Sequence, residues 1–296
     1  MAAKSAPPKT RALWLSGARP RTLPLAIAPV ALGMASAWWA GEFSWVLSAL
    51  ALVVALSVQV GVNYANDYSD GIRGTDDYRV GPARLTGSGA VEPRLVLSAA
   101  LLSFALTATA GLAIVLLTGQ WWLLAVGAVA LFAAWFYTGG KKPYGYQGLG
   151  EIVVFVFFGP VAVVGTAFIQ LGSIPWETWL TGSAAGLFAS AVLLVNNLRD
   201  IEQDQQAGKR TLAVALGRAS TRVVLTVMLL GPYVILAFLS GLFLLAPYVY
   251  FTLLLTIPII VIVWSAKTPK ELILALQLMT LTALVYSIGL SLAIAL

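Results

Sequence analysis

The sequence predicts an all-α membrane protein, a bundle of nine transmembrane helices around a central cavity that opens on the cytoplasmic side. Composition is the first observation, because 59% of the 296 residues are hydrophobic and only 10% are charged. The mean hydropathy of +0.89 is the second. The third is a series of long apolar runs, most of them the length that a helix needs to cross a bilayer. Charged residues fall between these runs or at their ends.

Each predicted helix is one such apolar run, bounded by charged, glycine-rich or proline-containing segments. No segment between them is long enough to form a separate soluble domain, so residues 1–296 are expected to form a single domain. The predicted helices lie at approximately 23–41, 45–66, 95–117, 120–138, 149–171, 176–197, 220–244, 247–265 and 272–294.

The distribution of basic residues predicts the orientation. When the nine helices alternate in direction, all 18 lysine and arginine residues fall on one side of the membrane. The opposite side holds only Glu42 and Glu177, in very short connections. Because basic residues are enriched in cytoplasmic segments, we expect a cytoplasmic N-terminus and an external C-terminus.

Composition also excludes several function classes. The chain has no cysteine and no histidine, which rules out disulfides, thiolate metal sites and a cysteine nucleophile. Any metal must therefore be a hard ion bound by oxygen. The net charge of +6 follows the membrane topology and gives no reason to expect nucleic-acid binding. Phosphate-binding loop, dinucleotide-binding and serine-nucleophile motifs are absent.

The first polar cluster follows the second predicted helix, within the segment Gly61 to Gly89. At helical spacing, Asn63, Asn66, Asp67 and Asp70 share one face. Like charges at a helix end repel one another unless a cation neutralises them. Carboxylate and amide oxygens suit Mg²⁺, which binds through carboxylates and substrate phosphates.

A second cluster follows the sixth predicted helix and repeats the spacing of the first. Asn196, Asp200 and Asp204 are each four residues apart, as Asn66 and Asp70 are. The clusters lie four helices apart in the same orientation, so we expect them at the same depth, facing one cavity and holding a metal-bound diphosphate. Asp76 and Asp77 are further candidate acids, between which the pattern does not choose.

Basic and polar residues near the two clusters are candidates for binding an anion. Lys141 follows Tyr137 by four residues, and we expect both to line one helix face at the cavity mouth as catalytic groups. Each cation is also consistent with a membrane anchor. The other candidates for substrate binding are Arg21, Asn63, Asn66, Arg73, Arg79, Arg84, Asn196, Asn197, Arg199 and Lys209.

These motifs resemble those of the UbiA superfamily of intramembrane aromatic prenyltransferases, along the whole chain. The sequence segments that resemble the family are ARPRTLPLAIAPV, NYANDYSDGIRGTDDYRVGP, YTGGKKPYGYQGLGE and NNLRDIEQDQQAGKRTLAVALG. The family's metal-binding motifs fall on Asn66, Asp67 and Asp70, and on Asn196, Asp200 and Asp204. Gly74 stands where the family often has a further acid.

These sequence segments are most similar to those of the branch of the family that acts in menaquinone synthesis. The resemblance implies Mg²⁺-dependent transfer of a polyprenyl group from polyprenyl diphosphate to 1,4-dihydroxy-2-naphthoate, giving demethylmenaquinone, diphosphate and carbon dioxide. It also implies a multi-pass protein in the lipid bilayer of a bacterial plasma (inner) membrane.

Three alternatives stay open. Within the family, the acceptor could instead be 4-hydroxybenzoate or homogentisate. A secondary transporter would use acids and bases as gates, but it predicts ionisable residues near the bilayer midplane, whereas here they lie at helix ends and in loops. Asp67 and Asp70 followed by Gly71 overlap the start of a CDP-alcohol phosphotransferase motif, whose downstream acids are missing.

Overall fold

The computed structural model describes residues 10–75 and 84–296, and every regular element in these ranges is helical. Short 3₁₀ turns (Pro20–Thr22, Tyr144–Tyr146 and Ala246–Thr252) connect some of the helices, and a π-helical segment (Phe157–Val161) joins α6 to α7. The α-helices are α1 (Thr10–Ala18), α2 (Pro24–Trp39), α3 (Trp45–Arg73), α4 (Pro93–Thr118), α5 (Leu123–Phe136), α6 (Gly150–Val156), α7 (Ala162–Leu171), α8 (Glu177–Arg199), α9 (Ile201–Gln206), α10 (Leu212–Leu239), α11 (Leu253–Ser265) and α12 (Glu271–Ala295).

The all-α, membrane-spanning fold class is confirmed, with a difference in the number of spans. Seven helical segments of the described chain are long and apolar enough to cross a membrane, and an eighth span is the pair α1–α2, bent by 44°. The remaining predicted span, 120–138, corresponds to α5, which has only 14 residues. A helix of that length covers about 21 Å, less than the ~30 Å hydrocarbon core, so α5 needs the turns at its two ends to complete a crossing.

Helix α8 lies at the centre of the bundle. The most apolar 18-residue stretch of α8 is 72% buried within the protein. In the other six unbent spans the corresponding stretch is 28% to 50% buried. Around it pack α2, α10, α12 and the α6–α7 span. Phe188 and Leu194 of α8 and Tyr286 of α12 are among the largest fully buried side chains. The second acidic cluster therefore extends from the most enclosed helix of the bundle.

The span formed by α6 and α7 packs very closely on α8. A β-carbon added to Gly159 would lie 2.5 Å from the carbonyl oxygen of Gly182, and one added to Gly186 would lie 2.6 Å from that of Phe155. Small residues at both positions let the two backbones approach, as in many membrane helix pairs. The π-helical segment contains Gly159 and Pro160, where a regular helix is interrupted.

A tight turn separates α1 from α2. Arg19 has φ 53° and ψ 62°, a left-handed conformation that no other non-glycine residue in the described chain adopts. Pro20 follows at the start of the 3₁₀ turn, where its fixed φ is favourable. The turn brings Arg19 and Arg21 to the wall of the central cavity.

Candidate active site

A cavity of about 1200 Å³ lies between the helices that carry the two acidic clusters. Asn66 of the first cluster and Asn196 of the second both line it. The two stretches therefore meet at one cavity through their asparagines, whereas Asp67, Asp70, Asp200 and Asp204 are not among the residues that line it. The other sequence-predicted residues that line it are Arg21, Asn63, Arg84, Tyr137 and Arg199.

The cavity changes from apolar to polar along α3. Ala51, Val54 and Val58 line its apolar part, and Gln59, Asn63 and Asn66 follow within two further turns. The α4 and α5 side is also apolar, and Gly111 and Gly127 there leave open space. The cavity can thus accept a molecule with a polar head and a long hydrocarbon tail.

The first cluster lies on one continuous helix, as predicted, because α3 extends to Arg73. Asn63 donates a hydrogen bond from Nδ2 to the carbonyl oxygen of Ala18 (3.0 Å). Asn66 accepts one at Oδ1 from the hydroxyl of Thr138 (2.6 Å). Both amides are thereby held in fixed orientations at the cavity wall.

Asp67 is fully buried and holds the segment that re-enters the bundle before α4. Its carboxylate oxygens accept hydrogen bonds from the backbone N–H groups of Leu85 (3.0 Å) and Thr86 (2.9 Å). Thr86 packs so closely on α3 that a β-carbon on Gly71 would lie 2.4 Å from its Cγ2. These contacts fix the position of Arg84, the neighbour of Leu85, at the cavity wall.

Asp70 links the first cluster to Tyr146 and to Lys209, which follows the second cluster in the chain. Its Oδ1 accepts a hydrogen bond from the hydroxyl of Tyr146, and it forms an ion pair with Lys209 Nζ at 3.5 Å. Lys209 also lies over the Tyr146 ring, 4.5 Å from its centroid. Burial, followed by the charge of Asp70, raises the pKa of Tyr146 well above its ordinary value, so the phenol keeps the proton that it donates.

The second cluster does not lie on one helix, which corrects the prediction of a shared helical face. α8 ends at Arg199, Asp200 has non-helical dihedral angles, and Asp204 belongs to the short α9. Asp200 is buried and accepts two hydrogen bonds from Arg199, at 2.7 Å and 2.5 Å. Asp204 Oδ2 accepts one from the Thr211 hydroxyl (3.5 Å).

The predicted helical pairing of Tyr137 with Lys141 is wrong. α5 ends at Phe136, and Gly140 has φ 75°, so the chain turns away between the two residues. Tyr137 lines the cavity, whereas Lys141 is exposed and does not. Arg73 also lies outside the lining and donates hydrogen bonds to the carbonyl oxygens of Thr138 and Gly140.

Three predicted residues lie outside the described ranges, namely Asp76, Asp77 and Arg79. Asn197 is described but turns away from the cavity lining and donates a hydrogen bond to Glu151 Oε1 (2.8 Å).

Comparison with known proteins decides the family. The model of the UbiA prenyltransferase family matches residues 26–281. The chain belongs to this family.

Named UbiA relatives and solved UbiA structures agree with that assignment. The 1,4-dihydroxy-2-naphthoate octaprenyltransferase of Mycobacterium tuberculosis is 57% identical over 212 residues, 72% of each chain. The enzyme of the same name from Escherichia coli is 40% identical over 230 residues, 76% of this chain and 75% of that one. A UbiA homologue from Archaeoglobus fulgidus bound to DMAPP and Mg²⁺ has a TM-score of 0.67 at 16% identity, covering 96% and 99% of the two chains. The apo UbiA homologue from Aeropyrum pernix has a TM-score of 0.69 at 17% identity, covering 89% and 96%. These structures share the fold.

The UbiA homologue from Archaeoglobus fulgidus was solved with Mg²⁺ bound, and the donor chemistry of the present site suits such a hard ion. Carboxylate and amide oxygens occur at both clusters, and the sequence offers no imidazole or thiolate. Among the described residues no three acidic side chains converge in a metal-binding group. Instead Lys209 neutralises Asp70 and Arg199 neutralises Asp200. The residues therefore fit a hard cation in chemistry, and binding one would exchange these protein cations for the metal.

Sequence reasoning missed several residues that build this UbiA site. Tyr146 has no helical spacing to either cluster, so no pattern marked it. Glu151, only 2% exposed, was detectable as a carboxylate within the first turn of a predicted span. Thr138 and Gln59 are ordinary polar residues in the sequence, and only the contacts of the folded chain mark them.

Proposed function

We propose that this chain transfers a polyprenyl group from polyprenyl diphosphate to 1,4-dihydroxy-2-naphthoate. The allylic C1–O bond breaks, and a C–C bond forms at the ring carbon that carries the carboxylate. Carbon dioxide and diphosphate leave, and the product is demethylmenaquinone in its reduced form. The names of the relatives that are 57% and 40% identical support this acceptor.

The observation that carries the proposal is the polarity gradient of the cavity. One wall passes from Val58 to Asn66 within about two helical turns, and Asn196 and Arg199 face the same polar end. A polyprenyl diphosphate has this distribution of polarity, a charged head on an apolar tail. A carrier of a small soluble ion has no need of the apolar part.

Magnesium and the diphosphate head would bind at the polar end. We assign the metal to Asn66, Asp67, Asp70, Asn196, Asp200 and Asp204, where each oxygen of Asp67 keeps a lone pair beyond its amide bond. When bound, the ion would neutralise charge that builds on the departing diphosphate.

The chain's own cations complete the head-group site. Arg84 and Arg199 line the cavity, and Arg199 and Lys209 would pass from Asp200 and Asp70 to the diphosphate once the metal is present. Arg21, Arg73, Arg79 and Lys141 supply further positive charge. Asn63 and Asn197 orient the cluster helices through Ala18 and Glu151.

The acceptor reacts in a part of the cavity where water is scarce. Tyr137, Phe157 and Phe158 line this region and shield a developing allylic cation from water. The electron-rich naphthol ring then attacks C1 as the diphosphate leaves. Tyr137 lies beside the cavity, where its hydroxyl can bind the acceptor.

Orientation and location are part of the proposal. The chain forms a single domain in the plasma (inner) membrane of a bacterium, with a cytoplasmic N-terminus and with the polar end of the cavity open to the cytoplasm. This orientation takes α5, together with the turns that flank it, as one of nine crossings, an arrangement that places all 18 basic residues on one side of the membrane.

The test is an acceptor panel with purified protein in lipid. Labelled prenyl diphosphate is offered with 1,4-dihydroxy-2-naphthoate, 4-hydroxybenzoate or homogentisate, with Mg²⁺, with EDTA, and with Mg²⁺ restored. We expect labelled product only from the naphthoate, loss with EDTA and recovery with Mg²⁺. If labelled product formed only from 4-hydroxybenzoate or homogentisate, that compound would be the acceptor instead of the naphthoate. Turnover that EDTA does not reduce would refute the dependence on Mg²⁺.

A further inference from the structure

The turn between α1 and α2 is built as a rigid part of the cavity wall. Arg19 holds a left-handed conformation that is unfavourable for a residue with a side chain. The Thr22 hydroxyl donates to the Arg19 carbonyl oxygen (3.0 Å), and the Thr22 backbone N–H donates to the same oxygen (2.9 Å). Arg19, Arg21 and Thr22 all line the cavity.

Two amides of α3 clamp this turn from the opposite side. Gln59 donates from Nε2 to the carbonyl oxygen of Thr22 (2.7 Å), and Asn63 donates to that of Ala18 (3.0 Å). The two amides are one helical turn apart on α3. They bind Ala18 and Thr22, the first and last residues of the segment 18–22, which we call the arginine turn. The backbone that carries Arg19 is thereby fixed at the cavity wall.

The other end of the Gln59 amide has no partner among residues 10–75 and 84–296. Gln59 is 6% exposed, and its Oε1 is buried and accepts no hydrogen bond from this part of the chain. Seven buried side-chain polar atoms of the described chain are unpartnered, and this is the only one that belongs to a residue of the cavity wall. A buried acceptor without a donor is costly, so such groups in native proteins usually await a water or a ligand.

The position of Gln59 separates it from the diphosphate end. It lies seven residues before Asn66 on α3, about 10 Å along the helix. It also lies next to Val58, where the wall becomes apolar. A ring bound here would sit between the diphosphate and the hydrocarbon part of the cavity.

We propose that Gln59 and the arginine turn form the acceptor subsite, which binds a hydroxylated aromatic acid. Arg19 pairs with the carboxylate of that acid. Gln59 Oε1 accepts a hydrogen bond from a ring hydroxyl after a small rotation of the amide. This assignment rests on the proposed function, and it names the residues that select the acceptor instead of those that hold the diphosphate.

Two aromatic acids allow the carboxylate contact with Arg19 and the hydroxyl contact with Gln59 to be measured independently. The probes are 2-naphthoate, which has only the carboxylate, and 4-hydroxy-2-naphthoate, which also has a hydroxyl that is too far away to bond its own carboxylate. Their affinities are measured by titration calorimetry with purified protein in nanodiscs, without prenyl diphosphate. In the parent protein we expect the hydroxylated probe to bind about tenfold more tightly.

Variants of Gln59 test the hydroxyl contact. In Gln59→Met, which keeps the length but has no acceptor, we expect the ratio of the two affinities to fall to about one. Gln59→Glu keeps acceptor oxygens but loses the donor to Thr22, so the ratio should persist although both affinities fall. Gln170→Met is the matched control, because Gln170 Oε1 already has partners in Ser44 and Ser48, away from the cavity.

Arg19→Gly tests the carboxylate contact, because glycine adopts φ 53° without strain and removes only the side chain. Both probes should lose about tenfold in affinity with their ratio unchanged, and the KM for the naphthoate should rise while that for prenyl diphosphate stays constant. Equal losses of both probes in Gln59→Met, or normal binding in Arg19→Gly, would refute the subsite. Absence of prenyl transfer in the parent protein would instead refute the proposed function.

Discussion

Asp70 and Asp200 are buried carboxylates that the protein itself neutralises. Lys209 lies 3.5 Å from Asp70, and Arg199 lies 2.5 Å from Asp200. A buried charge is costly unless it is paired or hydrogen-bonded, so the cations beside these two carboxylates stabilise them. In the proposed mechanism, exchange of the protein cation for a metal ion would keep each carboxylate paired before and after substrate binds.

Neutralising these acids should remove activity without removing the protein from the membrane. We expect Asp70→Asn and Asp200→Asn each to lower turnover by roughly two to three orders of magnitude, because ligands of the metal that stabilises the leaving group are lost. Prenyl transfer in membranes containing equal amounts of protein is the measurement. Glu202→Gln is the control, since Glu202 is exposed and pairs with Arg218 at the surface. Near-normal turnover in both variants would refute the metal assignment.

Tyr146 makes two contacts at the site: its hydroxyl donates to Asp70, and its ring lies under Lys209. Replacing it by phenylalanine removes the first contact and keeps the second, so the variant isolates the role of the hydroxyl. Tyr146→Phe removes the donor to Asp70 and should lower turnover on the order of tenfold, with a changed Mg²⁺ concentration for half-maximal activity. Magnesium titrations of the prenyl-transfer rate measure both. Tyr250→Phe loses a hydroxyl that donates to Tyr233 elsewhere in the bundle, and its Mg²⁺ dependence should match the parent. An unchanged Mg²⁺ dependence in Tyr146→Phe would contradict a link through Asp70.

At the scale of elements, glycine positions decide how tightly α8 is enclosed. Gly159→Ala would place a β-carbon 2.5 Å from the Gly182 carbonyl oxygen, which the two backbones cannot accommodate without separating. We expect a loss of about 1–3 kcal/mol in stability, seen as a lower thermal midpoint in detergent.

A glycine with space around it provides the matched control for that substitution. Gly289 of α12 would place its β-carbon 3.5 Å from Val249, an ordinary contact. Gly289→Ala should therefore leave the midpoint unchanged or raise it, because alanine favours the helix. A loss of the same size in both variants would show that close packing of α8 is not the cause.

At the scale of the whole molecule, the absence of native cysteine allows the orientation to be read directly. Single cysteines at Glu42 and Lys142, both exposed, should react with a membrane-impermeant maleimide from opposite sides. We expect intact cells with a permeable outer layer to label Glu42→Cys, and inverted vesicles to label Lys142→Cys. The reverse pattern would invert the proposed topology, and labelling of both from one side would refute the alternation of helices.

The sequence by itself determined the fold class, the family and the two acidic clusters. Hydropathy is a local property of each segment, so the spans could be located along the chain, although α5 has only 14 residues and the α1–α2 pair is bent. Helical spacing also placed Asn63, Asn66, Asp67 and Asp70 together correctly, because α3 continues through all of them.

Only the tertiary structure decided which side chains meet. Asp200 interrupts the helix, Lys141 turns away from the cavity, and Asp67 binds the amides of Leu85 and Thr86. Tyr146 donates to Asp70 and contacts Lys209, and Gln59 binds the carbonyl oxygen of Thr22 in the arginine turn. Each of these contacts links residues far apart in the chain, or depends on where a helix ends, and such packing is set by the whole bundle instead of by local spacing.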